Sequence, residues 1–314
     1  MLYSIELFNK SLVVNKINIS STPIIDLKDE HIGIFHAYLL EEMHYSPRTY
    51  NNKMSYLKGF IDWSMQKFNI PSNNPFGSVK KRSTRVRKDI IYKEEYKALL
   101  GIIKPKLGKK KHNNGKTSYF RQLYKPYLKN GIRLALHTGC RGDEVVNMKW
   151  NMVHFKKKKP YFIEVNNSKV EHQKGSGFNA MVRPIFIPIT KGLLKLLNRM
   201  GLNEKKGSDD YILYPERTAT SSTIKNNLSK GFTHFYKQLD TGRAITFKHL
   251  RKTYLTYLNA TIKERTKLLS GHSSNEVLRR YYIDESLISK TAKKIKNPWN
   301  LKFLTRGAQK QIEN

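Results

Sequence analysis

A mainly α-helical protein with one small antiparallel β-sheet (α+β), built in two parts, is the fold class this 314-residue sequence predicts. Three observations predict it. Apolar residues recur at three-to-four spacing through most of the chain, the mark of amphipathic helices. The period turns strand-like, with β-branched and aromatic runs, only between about residues 152 and 189. A basic stretch containing proline and glycine separates a short helical region from a longer one. With 39% hydrophobic and 11% aromatic residues the chain can bury a core, and its length suits two domains of ordinary size.

Residues 1–25 are mildly amphipathic, with Leu12-Val13-Val14 and a break at Pro23, and fit an arm, a strand or a leader. Residues 26–70 read as a helical domain. Ile32, Phe35, Leu39 and Leu40 mark one helix, and Ser46-Pro47 opens the next with an N-cap serine and a proline in the first turn. That helix carries Tyr50, Met54, Leu57, Ile61 and Phe68 on one side, leaving Arg48, Lys53 and Lys58 for the other. Such a basic face suits a duplex backbone, or is simply a solvated face; Arg48 and Lys53 are its DNA-binding candidates. Residues 71–90 read as a linker whose second half holds Lys80, Lys81, Arg82, Arg85, Arg87 and Lys88. These six either cross a phosphate backbone or keep the chain in solution.

A second domain spans residues 91–296. KEEYKALLGII predicts a helix, Lys109 to Gly115 a polar loop, and Tyr119 to His137 a long helix interrupted at Pro126. Gly139 ends that helix and Arg141 begins another, with Glu144 one turn on. Arginine at a helix start opposes the macrodipole, so it wants an anion or a carboxylate. Glu144 can hold its guanidinium, unless the two form an ordinary surface pair. PYFIEVNN and RPIFIPIT predict an antiparallel pair whose connecting tip presents Lys169 and Lys174. Helices follow over Thr190–Met200 and Thr223–Leu239, and again over Asp284–Lys296 before a polar tail, residues 297–314.

Lys+Arg number 59 against 24 Asp+Glu, a net charge of +35. That excess asks for a polyanion. An anionic membrane would want one concentrated basic amphipathic segment, whereas this charge is spread along the chain, so double-stranded DNA is the expected partner and a membrane is not. A single cysteine, Cys140, rules out an internal disulfide framework and a Cys-based zinc site. No secretory h-region or membrane-length apolar run occurs, and the expected location is cytoplasmic, associated with the nucleoid. The histidines form no HExxH and the carboxylates are scattered, against a two-metal nuclease.

The richest stretch runs from Thr246 to Tyr282. Lys248 and Arg251 are three apart and share a helix face. Gly271 stops a helix, His272 follows, and Tyr281 and Tyr282 close the stretch. Cations, a histidine and a tyrosine brought together make an anion pocket beside a phenolic nucleophile, and a phosphodiester suits it.

TGCRGDEVVNMKW, KHLRKTYLTYL and LLSGHSSNEVLRRYY, in this order, resemble the three catalytic boxes of the tyrosine recombinase (phage integrase) family. The resemblance covers residues 92–290, and the helices of residues 26–68 are similar to that family's N-terminal core-binding module. It implies DNA strand cleavage and rejoining through a 3′-phosphotyrosine, without metal or nucleotide cofactor. It further implies that Arg141 and Arg251 clamp the scissile phosphate, that Lys169 or Lys174 protonates the leaving 5′ oxygen (Lys169 being preferred), that His272 supports the phosphate, and that Tyr281 attacks. The spacing of nine residues after His272 selects Tyr281 over Tyr282. Guanidiniums suit the clamp because they bind phosphate bidentately and keep their charge.

One position departs from the family. Three residues before Arg251, where the family usually has histidine, stands Lys248, with His249 one place later. The three-residue spacing favours Lys248 as the equivalent, either as proton acceptor or as an added positive charge. Recombination implies a homotetramer on two DNA sites, with room for an accessory DNA-bending or directionality factor. The alternatives are a catalytically impaired DNA-binding protein of the same fold, for which the lysine speaks, and a relaxing topoisomerase of the same chemistry.

Overall fold

A computed structural model describes residues 2–71, 73–84, 89–113, 118–156, 158–166 and 184–262. The chain divides into two compact units, Met1–Val86 and Arg87–Asn314.

The first unit is helical. Residues 1–25, whose character the sequence leaves open, begin with α1 (Leu2–Val14), which buries Leu7, Phe8 and Leu12 while Val13 and Val14 face out. Helix α2 (Asp29–Ala37) runs on into a π-turn, and α3 (Pro47–Lys67) starts behind Ser46, whose hydroxyl accepts the Thr49 N–H at 3.4 Å. Tyr50, Met54, Leu57 and Ile61 face the core as their spacing predicts. Phe68 does not: α3 ends at Lys67, so Phe68 falls off the stripe, stays exposed and packs edge-on against Trp63. Phe8 meets Phe35 and Phe76 edge-to-face at 5.3 and 5.6 Å. Phe76 comes from the stretch that composition marks as linker; Asn74 pins this stretch to α3 by donating to the Lys58 carbonyl and the Asp62 carboxylate. Further on, Asn51 exchanges two 2.8 Å hydrogen bonds with the Arg82 backbone.

The second unit opens with α4 (Lys93–Ile102). Where the sequence predicts a polar loop and then a long helix from Tyr119, there is a β-hairpin, β1 (Lys109–Asn113) against β2 (Ser118–Gln122), and the helix α5 begins only at Leu128 and runs to Thr138. Both faces of the hairpin are solvated, so neither strand shows the apolar alternation that announces a strand. Pro126 lies between hairpin and helix. Helix α5 is the spine of the unit, its Leu128, Ile132, Leu134 and Ala135 lying in the main core. After α6 (Gly142–Asn147) comes a three-stranded antiparallel sheet of β3 (Val153–Lys156), β4 (Lys159–Val165) and β5 (Ile185–Pro188). Ile163 pairs with Ile187 and Val165 with Ile185 on the buried face, while Tyr161 and Phe186 face solvent. The first strand is additional to the predicted pair. Helices α7 (Lys191–Arg199), α8 (Ser221–Lys237) and α9 (Lys248–Ile262) complete the described fold. Thr190 and Thr220 cap α7 and α8 by accepting N–H groups three residues on. No helix among the described residues is long and apolar enough to cross a membrane.

Candidate active site

The ends of three helices build the candidate site. Helix α5 stops at Gly139, which takes a left-handed conformation (φ 66°) as its C-cap. Only glycine fits there, since a Cβ would stand 2.0 Å from the Tyr254 ring. The tight stop lets the chain turn at once through buried Cys140 and extended Arg141 into α6. Burial pushes the Cys140 thiol up, so it stays protonated and serves as packing.

Glu144, one turn into α6, reaches back. Its Oε2 accepts the Arg141 backbone N–H at 2.6 Å, capping the helix, and its Oε1 accepts from Arg141 Nη1 at 2.7 Å. The side chain of Glu144 has no exposed surface, so the surface-pair reading of Arg141 and Glu144 fails. The same carboxylate faces a second cation: Arg251 Nη1 lies 3.8 Å from Glu144 Oε2. Arg251 comes from α9, and its Nη1 also donates to the Gly139 carbonyl at 2.6 Å. Its side chain is 8% exposed and that of Arg141 21%, so the second arginine is the more deeply set. One buried anion thus gathers two guanidiniums from distant parts of the chain. Formally a single positive charge is left over.

Gly139→Ala is accordingly expected to cost about 2–4 kcal/mol, combining left-handed backbone strain with overpacking against Tyr254. Denaturant unfolding checks it; a variant as stable as wild type would show that the turn relaxes freely.

Lys248 is the first residue of α9 and is exposed. His249 turns elsewhere. Its Nδ1 accepts the Thr246 backbone N–H at 2.8 Å, and burial, helped by the Lys252 charge, holds its pKa below the ordinary histidine value. Helix α9 is tied in place by Thr253, whose hydroxyl accepts the Ile91 N–H at 3.0 Å. Just ahead of α9, Arg243 donates to both oxygens of Glu95 at 2.6 Å and to the Ile90 carbonyl at 2.7 Å. Gly139 as an acceptor, Thr253 and the Glu95–Arg243 pair carry no local signal in the sequence, because their partners lie more than 100 residues away.

Among the expected DNA-binding residues, Arg48, Lys80, Lys81 and Arg82 are exposed in the first unit, and Lys53 places its Nζ 3.9 Å over the Tyr3 ring. Lys169, Lys174, His272, Tyr281, Tyr282, Arg85, Arg87 and Lys88 lie outside the described residues, as does the Asp284–Lys296 segment. No group of three His, Cys, Asp or Glu side chains that could hold a metal occurs among the described residues.

The sequence model of the phage integrase family matches residues 90–286, a span that takes in Arg141, Glu144 and Arg251. The chain belongs to the phage integrase family. This makes it, at the level of the family, a site-specific DNA recombinase of the tyrosine type, and the helix-rich fold with small antiparallel sheets agrees. Among solved structures, this integrase-family chain is similar to a lambda integrase (75–356) dimer bound to a COC′ core site, at 17% identity over 90% of this chain and 87% of that one, TM-score 0.61. It is also similar to the Tn1549 transposon integrase in complex with circular intermediate DNA, at 17% identity over 92% and 98%, TM-score 0.57. A lambda integrase tetramer bound to a Holliday junction matches at 16% identity over 85% and 70%, TM-score 0.56. At such identities the likeness is one of fold. No curated protein matches in sequence.

Proposed function

We propose that this integrase-family chain cleaves and rejoins duplex DNA for the integration or excision of a mobile element. The observation that carries the reading is the pairing of Arg141 and Arg251 on the buried Glu144, at 2.7 and 3.8 Å. A guanidinium presents five N–H donors in a fixed fork that matches a phosphate bidentately and keeps its charge. Two of them stabilise the negative charge that grows on the scissile phosphate. Tyr281 attacks phosphorus, its phenolic proton leaves, and the departing 5′ oxygen takes a proton from Lys169. A 3′-phosphotyrosine and a free 5′-hydroxyl result; attack by a 5′-hydroxyl reverses the step and rejoins a strand. His272 supports the phosphate, and no metal or nucleotide enters.

On this reading residues 26–70 form the core-binding domain. Arg48 and Lys53, with Lys80, Lys81, Arg82, Arg85, Arg87 and Lys88 of the linker, meet phosphates, and residues 91–296 do the chemistry. Exchange of strands between two duplexes needs four protomers, in keeping with the lambda integrase tetramer on a Holliday junction. The chain works on nucleoid DNA, with an accessory bending or directionality factor where direction must be set.

Covalent trapping on a nicked suicide duplex, taken from the flanks of the chain's own genetic element, tests the mechanism. Wild type, Tyr281→Phe and Tyr282→Phe are run on a denaturing gel with chelator present. An adduct lost only in Tyr281→Phe is expected. Loss only in Tyr282→Phe moves the nucleophile by one residue, and no adduct despite tight DNA binding favours the impaired DNA-binding protein.

The proton acceptor has its own test. Lys248 is exposed at the helix start that bears Arg251, whereas His249 is engaged by Thr246. Lys248→Ala is expected to slow cleavage about 10²- to 10⁴-fold, the span of general acid–base catalysis, and His249→Ala less than about tenfold on the same scale. The opposite ranking would assign the role to His249.

A further inference from the structure

The hairpin β1–β2 stands outside everything invoked so far. All ten of its residues are exposed, and it carries Lys109, Lys110, Lys111 and Arg121 together with the aromatic rings of Tyr119 and Phe120, 48% and 69% exposed. Its register sets Lys110 directly opposite Arg121 and, two residues along on the same face, His112 opposite Tyr119, whose rings stack at 5.3 Å. On the other face Lys111 stands opposite Phe120.

This arrangement works against the hairpin's own stability. Like charges directly opposite across a strand pair are destabilising, and a two-stranded ribbon without a buried face is marginal in water. Among the described residues no carboxylate offsets the charge. The sequence has no acidic residue between Glu95 and Asp143. Yet the base of the ribbon is firmly built. The Leu123 N–H donates to the Gly108 carbonyl at 2.8 Å, and the Leu107 carbonyl is held by His234 of α8 and its C-cap residue Gln238 at 2.9 and 3.0 Å. At Gly108 the backbone passes so close to the next strand that a Cβ would lie 2.1 Å from Gln122 Oε1 and 2.8 Å from the Tyr124 nitrogen. A ribbon that is anchored at its base, cationic and aromatic at its surface, and internally repulsive is suited to an anionic partner.

Resting on the reading of the chain as a DNA recombinase, we propose that the β1–β2 hairpin is a further DNA-contacting element, which enters a groove of duplex DNA edge-on, so that Lys110 and Arg121 on one face and Lys111 on the other meet phosphates while Phe120 packs on the sugar-phosphate edge. A two-stranded ribbon has the width of a B-DNA major groove, and phosphates placed between Lys110 and Arg121 turn their repulsion into binding.

The full chain is titrated by fluorescence anisotropy with a labelled duplex of arbitrary sequence at several salt concentrations. Wild type is compared with the triple variant Lys110→Gln, Lys111→Gln, Arg121→Gln. Loss of three phosphate contacts makes the slope of log K against log salt shallower by about 2 to 3, and relief of the like-charge pair leaves Tm equal or higher. In a second arm, p-benzoylphenylalanine replaces Phe120, and ultraviolet light is expected to crosslink the chain to the duplex. An unchanged slope with wild-type affinity, or a crosslink to a second copy of the chain and not to DNA, overturns the proposal while leaving the recombinase reading intact. Failure of the wild type itself to bind the duplex overturns both.

Discussion

Arg251→Lys is expected to slow strand cleavage about 10²- to 10³-fold, the cost of losing one well-placed donor to transition-state charge, while duplex binding falls less than about tenfold on the same energetic scale. Arg251 is set deep, with Nη1 on the Gly139 carbonyl at 2.6 Å and within 3.8 Å of Glu144. The Gly139 hydrogen bond and the nearby Glu144 charge hold the guanidinium at the junction of α5 and α6. Lysine keeps the charge and loses the plane. A point charge can hold a ground-state phosphate, but the two equatorial oxygens of a pentacovalent phosphorus call for parallel N–H donors. The rate therefore suffers more than affinity, the signature of an interaction made chiefly in the transition state. Single-turnover cleavage of the nicked duplex, beside an equilibrium titration, separates the two. Cleavage at the wild-type rate would mean that the fork is dispensable and that charge alone suffices.

Where burial wrote a period into the sequence, the fold was legible. Tyr50, Met54, Leu57 and Ile61 announce α3 because one face is packed, and Ile185 and Ile187 announce β5 because alternate residues are buried. The β1–β2 hairpin has no buried face, so no periodicity marked it, and Tyr119 and Phe120 read as helix stripe when they are in fact solvated. Arg141 and Glu144 were legible as a pair because three-residue spacing on a helix is local geometry. The involvement of Arg251 with that same carboxylate, and of Gly139 with Arg251, was not, since each requires α5, α6 and α9 to be packed first. The family resemblance implies a set of site residues, and the fold adds the reason that two of them, Arg141 and Arg251, converge on one carboxylate. Glu95 and Arg243 carried no resemblance and no spacing, yet their pair ties the start of α4 to the loop before α9.

Glu144→Ala is expected to be the most damaging single change to this unit, destabilising it by about 3–5 kcal/mol, as when one partner of a buried ion pair is removed. With the carboxylate gone, the guanidiniums of Arg141 and Arg251, whose side chains are 21% and 8% exposed, lose the anion that they share. The Arg141 N–H at the start of α6 loses its acceptor as well. Glu144→Gln keeps the shape and one acceptor oxygen but not the charge, and its loss should be smaller, about 1–3 kcal/mol, the cost of an imperfectly satisfied polar site. Denaturant unfolding at constant m-value measures both. The effect on cleavage distinguishes a positioning role from a purely structural one. If Glu144 acts by aiming the arginines, then once Arg141→Ala has removed one of its targets, adding Glu144→Gln should slow cleavage much less than Glu144→Gln does alone. Multiplicative losses in the double variant, at temperatures where all three variants are folded, would show that Glu144 serves the fold and not the clamp.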